Sequence, residues 1–124
     1  MKIKIIGTQI YDEHEEKVVQ EYEDAVIEIK DILTVKYNGG EIIYDKLSNI
    51  VVLKNGGNEI VIEVNKEKCL NYNTPYGIIT MKTYGEEIIL EENPFRVVIK
   101  YKIELNGTSS YKNVAEIIAI DSKD

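Results

Sequence analysis

Apolar and polar residues alternate most clearly along the segment that begins at Phe95. The odd-numbered positions from Phe95 to Leu105 are all apolar or Tyr, whereas most of the even-numbered positions between them are charged. Successive side chains of a β-strand point to opposite faces, so this spacing predicts a strand with one face in a core and the other in water.

Short clusters of Asn, Gly, Asp, Ser and Pro divide the rest of the chain at close intervals. Asn55-Gly56-Gly57-Asn58 and Asn106-Gly107 are clear examples, and such residues favour hairpin turns because they tolerate the positive φ that a type I′ turn requires. Each interval holds one short strand. We therefore predict strands near residues 2–10, 17–23, 25–30, 32–37, 41–46, 49–54, 58–64, 67–73, 76–84, 86–91, 95–105 and 111–120. Some adjacent segments join through a bend, which leaves about eight to ten separate strands.

Residues 17–30 also fit a second pattern. Val18, Tyr22, Val26 and Ile29 are spaced four, four and three residues apart, which is the apolar stripe of an amphipathic helix. A helix therefore stays open as an alternative to strands in this segment.

Several predicted strands carry adjacent apolar residues, so that both of their faces require cover. These segments are Glu41 to Tyr44, Asn49 to Leu53, Glu87 to Leu90 and Glu116 to Ile120. The cover is an N-terminal segment, a second sheet or another copy of the protein.

The terminal segment 111–120 gives a specific form of this question. Val114, Ile118 and Ile120 fall on one face, and Ala115, Ile117 and Ala119 fall on the other. Because Ala115 and Ala119 are small, the second set, taken as the outward one, forms either a flat patch or a close contact with a second subunit. Because symmetric dimers are the commonest soluble oligomers, we predict a homodimer.

Length and composition support one small domain rich in strands. The 124 residues fit a single domain, residues 1–124, and Ile, Val and the nine Tyr suit half-buried strands. The single cysteine, Cys69, excludes a disulfide framework. No apolar run approaches the roughly twenty residues of a membrane span, and Gly7-Thr8-Gln9 interrupts the first segment before it could serve as a signal peptide. We expect a cytoplasmic protein.

The charge of the chain disfavours two classes of partner. Its 15 Lys and Arg stand against 22 Asp and Glu, a net charge of -7, which repels phosphate backbones and anionic lipid surfaces. We therefore expect neither a nucleic acid nor a membrane as partner.

Three segments in the second half of the chain carry a resemblance to a known family. They are Thr74-Pro75-Tyr76-Gly77 at the opening of a strand, the strand end Tyr101 to Gly107, and Asn113 to Ile117. In these segments the chain resembles the YwiB-like family of small bacterial proteins. The resemblance implies an all-β fold, a single antiparallel calycin-like β-barrel related to the lipocalins, in a cytoplasmic protein. It implies no reaction and no catalytic residue, because none is assigned to the family.

An eight-stranded barrel is just wide enough to be filled by side chains or to hold one small ligand. The first functional hypothesis is therefore a small, mostly apolar ligand, held by Tyr101, Ile99 and Ile103. Tyr76 presents its hydroxyl at the rim of the barrel in this hypothesis, although Thr74-Pro75-Tyr76-Gly77 is better explained as a barrel corner. The full inward set comprises Ile99, Tyr101, Ile103, Ile60, Ile62, Val64, Ile27 and Ile29. The alternative is a structural or interaction module that has a filled barrel and acts through its outer surface as a homodimer.

The residues that most often carry catalysis form no recognisable constellation. His14 lies in the acidic stretch Asp12 to Glu16, whose spacing fits no zinc or calcium motif and is better explained as a solvated turn. Cys69 lies near Lys66 and Lys68 but has no predicted general base. Arg96 shares the polar face of its strand with Lys100 and Lys102, away from the barrel interior. We expect no metal, no cofactor and no catalytic residue, and the sequence favours a function other than catalysis.

Overall fold

The computed structural model describes residues 1–107 and 110–120, and these residues form eleven β-strands. The strands are β1 (Lys2–Ile10), β2 (Glu15–Tyr22), β3 (Val26–Ile29), β4 (Ile32–Tyr37), β5 (Gly40–Asp45), β6 (Ile50–Asn55), β7 (Asn58–Glu63), β8 (Glu67–Thr74), β9 (Gly77–Glu92), β10 (Phe95–Leu105) and β11 (Ser110–Ile120). No helix occurs in the described residues, so none could cross a membrane. The all-β prediction is confirmed, and the helical alternative for residues 17–30 is wrong because β2 and β3 occupy that segment.

The strands pair in two antiparallel sheets. One sheet has six strands in the order β2-β1-β11-β10-β9-β8, and the other has five in the order β3-β4-β5-β6-β7. Most neighbours are consecutive in the chain and are joined by hairpins, such as the two-residue β6–β7 loop, where Gly56 and Gly57 have φ of 55° and 90°. This is the positive-φ turn that the Gly-Gly pair predicts.

Apolar residues from the two sheets pack against one another in a single core. The six-stranded sheet contributes Ile3, Val97, Ile99 and Ile117, and the five-stranded sheet contributes Leu33, Val35, Ile42, Val51 and Ile62. Each sheet therefore covers one apolar face of the other. Of the three kinds of cover considered from the sequence, the structure has the second sheet. Ile29 of the predicted inward set is exposed instead, since it lies on the edge strand β3.

The two sheets meet at two corners. At the first, the Ala25 amide donates a hydrogen bond to the Met1 carbonyl oxygen at 2.7 Å. At the second, the Asn65 amide donates to the Gly85 carbonyl oxygen at 2.8 Å, and the buried Thr83 hydroxyl donates to the Val61 carbonyl oxygen. Within the described strands neither sheet closes on itself, so the established architecture is two packed sheets.

Two expectations about single strands need correction. The break expected at Tyr84-Gly85 is absent, because β9 runs continuously from Gly77 to Glu92 and the register with β10 merely shifts between Lys100 and Tyr101. In β11 the inward set is Ala115, Ile117 and Ala119, which pack in the core, so the assignment of these residues to the outer face is wrong. The outward set is Val114, Ile118 and Ile120.

Candidate ligand-binding site

A cavity of about 160 Å³ lies between the two sheets. Apolar side chains from both sheets form its floor: Ile5, Ile42, Leu53, Ile60, Ala115 and Ile117. Polar side chains form the rest of its lining: Gln20, Tyr22, Tyr37, Lys54, Asn55, Asn58 and Tyr72. The cavity thus combines an apolar interior with a few polar groups, as small-molecule sites usually do.

Strand alternation places these side chains. Ile5 of β1 pairs with Gln20 of β2 and with Ile117 of β11, so the three residues form one row across the inner face of the six-stranded sheet. Opposite them, Ile42, Leu53 and Ile60 form a matching row on the five-stranded sheet.

Two tyrosines join the sheets at the cavity. The rings of Tyr22 and Tyr37 lie 4.6 Å apart between centroids, and the Tyr22 hydroxyl donates to Gln20 Oε1 at 3.0 Å. Burial raises the pKa of the Tyr37 hydroxyl, with a smaller contribution from Tyr22. The Tyr37 hydroxyl is therefore neutral near pH 7 and can donate or accept a hydrogen bond.

One amide of the lining, that of Asn58, is held by backbone contacts. Asn58 Nδ2 donates to the Asn73 carbonyl oxygen at 3.1 Å, and the Asn73 amide donates to Asn58 Oδ1 at 3.0 Å. This reciprocal pair ties β7 to β8 beside the cavity. Lys54 lies 3.7 Å from Glu59 and brings the one formal charge among the lining residues.

The volume and the lining of the cavity suit the binding of a small apolar group. The lining holds no carboxylate, imidazole or thiol that could act as general base or nucleophile. An engineered protein cavity of about 150 Å³ lined by apolar side chains binds benzene, so the volume here suits an apolar group of that size.

The four side chains predicted to bind a ligand do not meet at this cavity. Ile99 is fully buried in the core, and Ile103 is half-buried and packs against it. Tyr101 is only 8% exposed and lines a neighbouring depression. Tyr76 is fully exposed in the turn between β8 and β9. None of the four lines the 160 Å³ cavity, and their role in ligand binding stays a prediction.

Sequence reasoning missed Tyr22, Tyr37 and Tyr72, which do line the cavity. Each tyrosine has the inward phase of its strand, and Tyr22 and Tyr37 are also the last residues of theirs. An inward aromatic residue near a strand end is the sequence signal that could have identified them as lining residues.

The remaining candidate residues lie on the surface. The His14 ring stacks on the Tyr11 ring with 4.6 Å between centroids, and His14 Nε2 lies 3.6 Å from Glu16 Oε1. Lys66 and Lys68 contact Glu63 at 3.3 and 2.8 Å, and Cys69 is exposed. Arg96 points outward and pairs with Glu91 and Glu116. In the described residues no group of three His, Cys, Asp or Glu side chains could hold a metal ion.

Comparisons with known proteins bear on the fold. No family model matches the chain, and neither does any curated protein. The structure is similar to the crystal structure of the YwiB protein from Bacillus subtilis, with a TM-score of 0.50 and 12% sequence identity. The similarity covers 96% of this chain and 91% of the YwiB chain. At that identity the likeness concerns architecture and not activity. The chain therefore has a YwiB-like fold.

Proposed function

We propose that the protein binds one small, mostly apolar ligand in the 160 Å³ cavity between its sheets. The observation that carries this proposal is the contrast within the cavity, where an apolar floor faces tyrosine hydroxyls and amides. A ligand the size of a substituted benzene ring would bury its apolar part against Leu53 and Ile60, and the polar side chains would orient it.

The proposal also holds that the two sheets together surround the ligand as a calycin-like barrel would. It is supported by the two corners, where backbone hydrogen bonds from Ala25 and Asn65 link the sheets. A ligand enclosed on both sides in this way would be shielded from water over most of its surface.

Toluene is a suitable probe. We expect it to perturb the methyl resonances of Ile5, Leu53 and Ile60 in an NMR titration. Leu53→Phe enlarges a side chain of the floor and should weaken toluene binding about tenfold or more, since it fills the space that the ligand needs. Val52→Phe is the matched control, because Val52 lies on the outer face of the same strand and does not line the cavity. Equal affinities for the two variants, or perturbations spread over the outer faces, would overturn the proposal.

A second candidate function is an interaction module that forms a homodimer. Its support is β2, an edge strand whose Val18 and Val19 are 61% and 54% exposed on opposite faces. Exposed edge strands readily pair with other chains. In an antiparallel pair of two β2 strands centred on Val19, Lys17 of each copy would face Glu21 of the other. We propose this self-pairing as the route to a dimer.

A further inference from the structure

A second depression continues the cavity along the inner face of the six-stranded sheet. It has a volume of about 190 Å³ and is lined by Gly7, Thr8, Gln9, Glu16, Val18, Tyr101, Asn113, Val114 and Ala115. Gly7, Val18 and Ala115 form the row next to Ile5, Gln20 and Ile117, and Ala115 lines both spaces. The depression and the cavity are therefore adjacent.

The buried tyrosine of this depression has an unused hydroxyl. Tyr101 is only 8% exposed, and its hydroxyl makes no hydrogen bond to any residue that the structure describes. By contrast, the hydroxyls of Tyr11, Tyr22 and Tyr44 each donate to a side-chain oxygen. Among the described residues no buried side-chain oxygen or nitrogen lacks a partner, so the Tyr101 hydroxyl is still reached by solvent. A ligand atom that accepts its hydrogen bond would take the place of that water.

Gly7 leaves the room that such a ligand needs. A Cβ atom added at Gly7 would have no heavy atom of another residue within 4 Å. Its neighbour across the strands, Ala115, has the smallest side chain after glycine. The two residues together keep the inner face hollow between Ile5 and Tyr101.

The polar groups around Tyr101 indicate which end group fits. Gln9 Oε1 already accepts from the Tyr11 hydroxyl at 2.8 Å, which leaves the Gln9 amide nitrogen as a donor. Asn113 Nδ2 donates to the Tyr111 carbonyl oxygen at 3.3 Å, which leaves Asn113 Oδ1 as an acceptor. The Glu16 carboxylate at the edge would repel an anion.

We propose that this depression is a polar subsite for an uncharged alcohol or primary amide group at the end of a ligand whose apolar part occupies the cavity, with the Tyr101 hydroxyl as hydrogen-bond donor. The inference rests on the proposed function and adds the chemical class of the ligand. A carboxylate in the same position would meet Glu16 and the net charge of -7.

The test compares toluene with 1-hexanol and hexanoate, using NMR titration and calorimetry. We expect wild-type protein to bind 1-hexanol more tightly than hexanoate. Tyr101→Phe should weaken 1-hexanol binding about three- to tenfold, the effect of one neutral hydrogen bond, and leave toluene binding within about twofold. Gly7→Val should have the same selective effect by filling the subsite. Ile6→Phe is its control, because Ile6 lies on the outer face of β1 and lines neither the cavity nor the depression.

The outcomes separate this inference from the proposed function. If toluene binds and neither Tyr101→Phe nor Gly7→Val changes the affinity for 1-hexanol, the subsite is wrong and the cavity stands. Equal weakening of toluene and 1-hexanol by Tyr101→Phe would also overturn the subsite, because it would reveal a structural role alone. If toluene does not bind to the cavity, both proposals fail. Should Tyr101→Phe not fold, Gly7→Val decides the same question.

Discussion

Tyr101 links the stability of the fold to pH. Burial raises the pKa of its hydroxyl from 10.0 to about 12, with a smaller contribution from Tyr72. Because the folded pKa is the higher one, the unfolded chain ionises first as the pH rises. The free energy of unfolding is therefore fully retained below pH 10 and falls as the pH rises toward 12. Two pKa units correspond to about 3 kcal/mol. We expect Tyr101→Phe to lose less stability than wild type between pH 9 and pH 11.5 in urea unfolding. Identical pH dependence in the two proteins would contradict this expectation.

The hydroxyl of Thr83 links the two sheets. Thr83 is 1% exposed and donates to the Val61 carbonyl oxygen, although the two residues belong to different sheets. Thr83→Val keeps the shape of the side chain but leaves that carbonyl without its partner, so we expect a loss of about 1 to 2 kcal/mol in the free energy of unfolding. Thr80→Val, at an exposed position of the same strand, should change it by less than about 0.5 kcal/mol. Thermal and urea unfolding measure both, and similar losses would rule out a special role for Thr83.

The close approach of β7 to β9 depends on one glycine. A Cβ atom added at Gly85 would lie 2.5 Å from the Glu63 carbonyl oxygen and 2.9 Å from the Val64 nitrogen, so the backbone would have to move. We expect Gly85→Ala to destabilise the protein by about 2 to 3 kcal/mol. Gly7→Ala, which meets no atom, should be neutral or stabilising by about 0.5 kcal/mol. A neutral Gly85→Ala in urea unfolding would show that the corner is not tightly packed.

The positions of most strands could be predicted from the sequence, because apolar–polar alternation and turn residues are local signals. The predicted faces of β10 are those observed, with Val97 and Ile99 buried and Arg96 outward. Gly85 misled the prediction because a turn glycine and a glycine beneath a crossing strand look alike locally. In β11 both faces are apolar, so alternation could not decide which of them meets the core.

The candidate site was less predictable for a physical reason. A cavity exists where inward side chains from distant strands fail to fill the space between them. Their combined volume at any one place depends on how the strands align. Gly7 and Ala115 leave room only because β1 pairs with β11 in one particular register. Tyr101 was found from its inward phase, whereas Tyr22 and Tyr37 were missed because their contact joins two sheets.

The proposed dimer is a prediction for the whole molecule. Val19→Lys would place two like charges opposite each other at the centre of the paired β2 strands, and we expect it to give a monomer. Val26→Lys is the matched control, since Val26 is 53% exposed on β3, the edge strand of the other sheet. Light scattering at micromolar concentration, with circular dichroism as a check on folding, measures the outcome. A wild-type mass that stays at one chain as the concentration rises would exclude the dimer.

The pairing of β1 with β11 also bears on the fate of shortened chains. Ile3 pairs with Ala119, so this ladder joins residues separated by almost the whole sequence, whereas the other ladders of the six-stranded sheet are hairpins between consecutive strands. A chain cut within β11 could still form the β1–β2, β8–β9 and β9–β10 hairpins, yet β1 and β10 would both carry unpaired backbone groups beside apolar side chains. Unpaired edges of this kind recruit other chains. The completed ladder is therefore a safeguard against aggregation, and premature termination near the end of the sequence removes it.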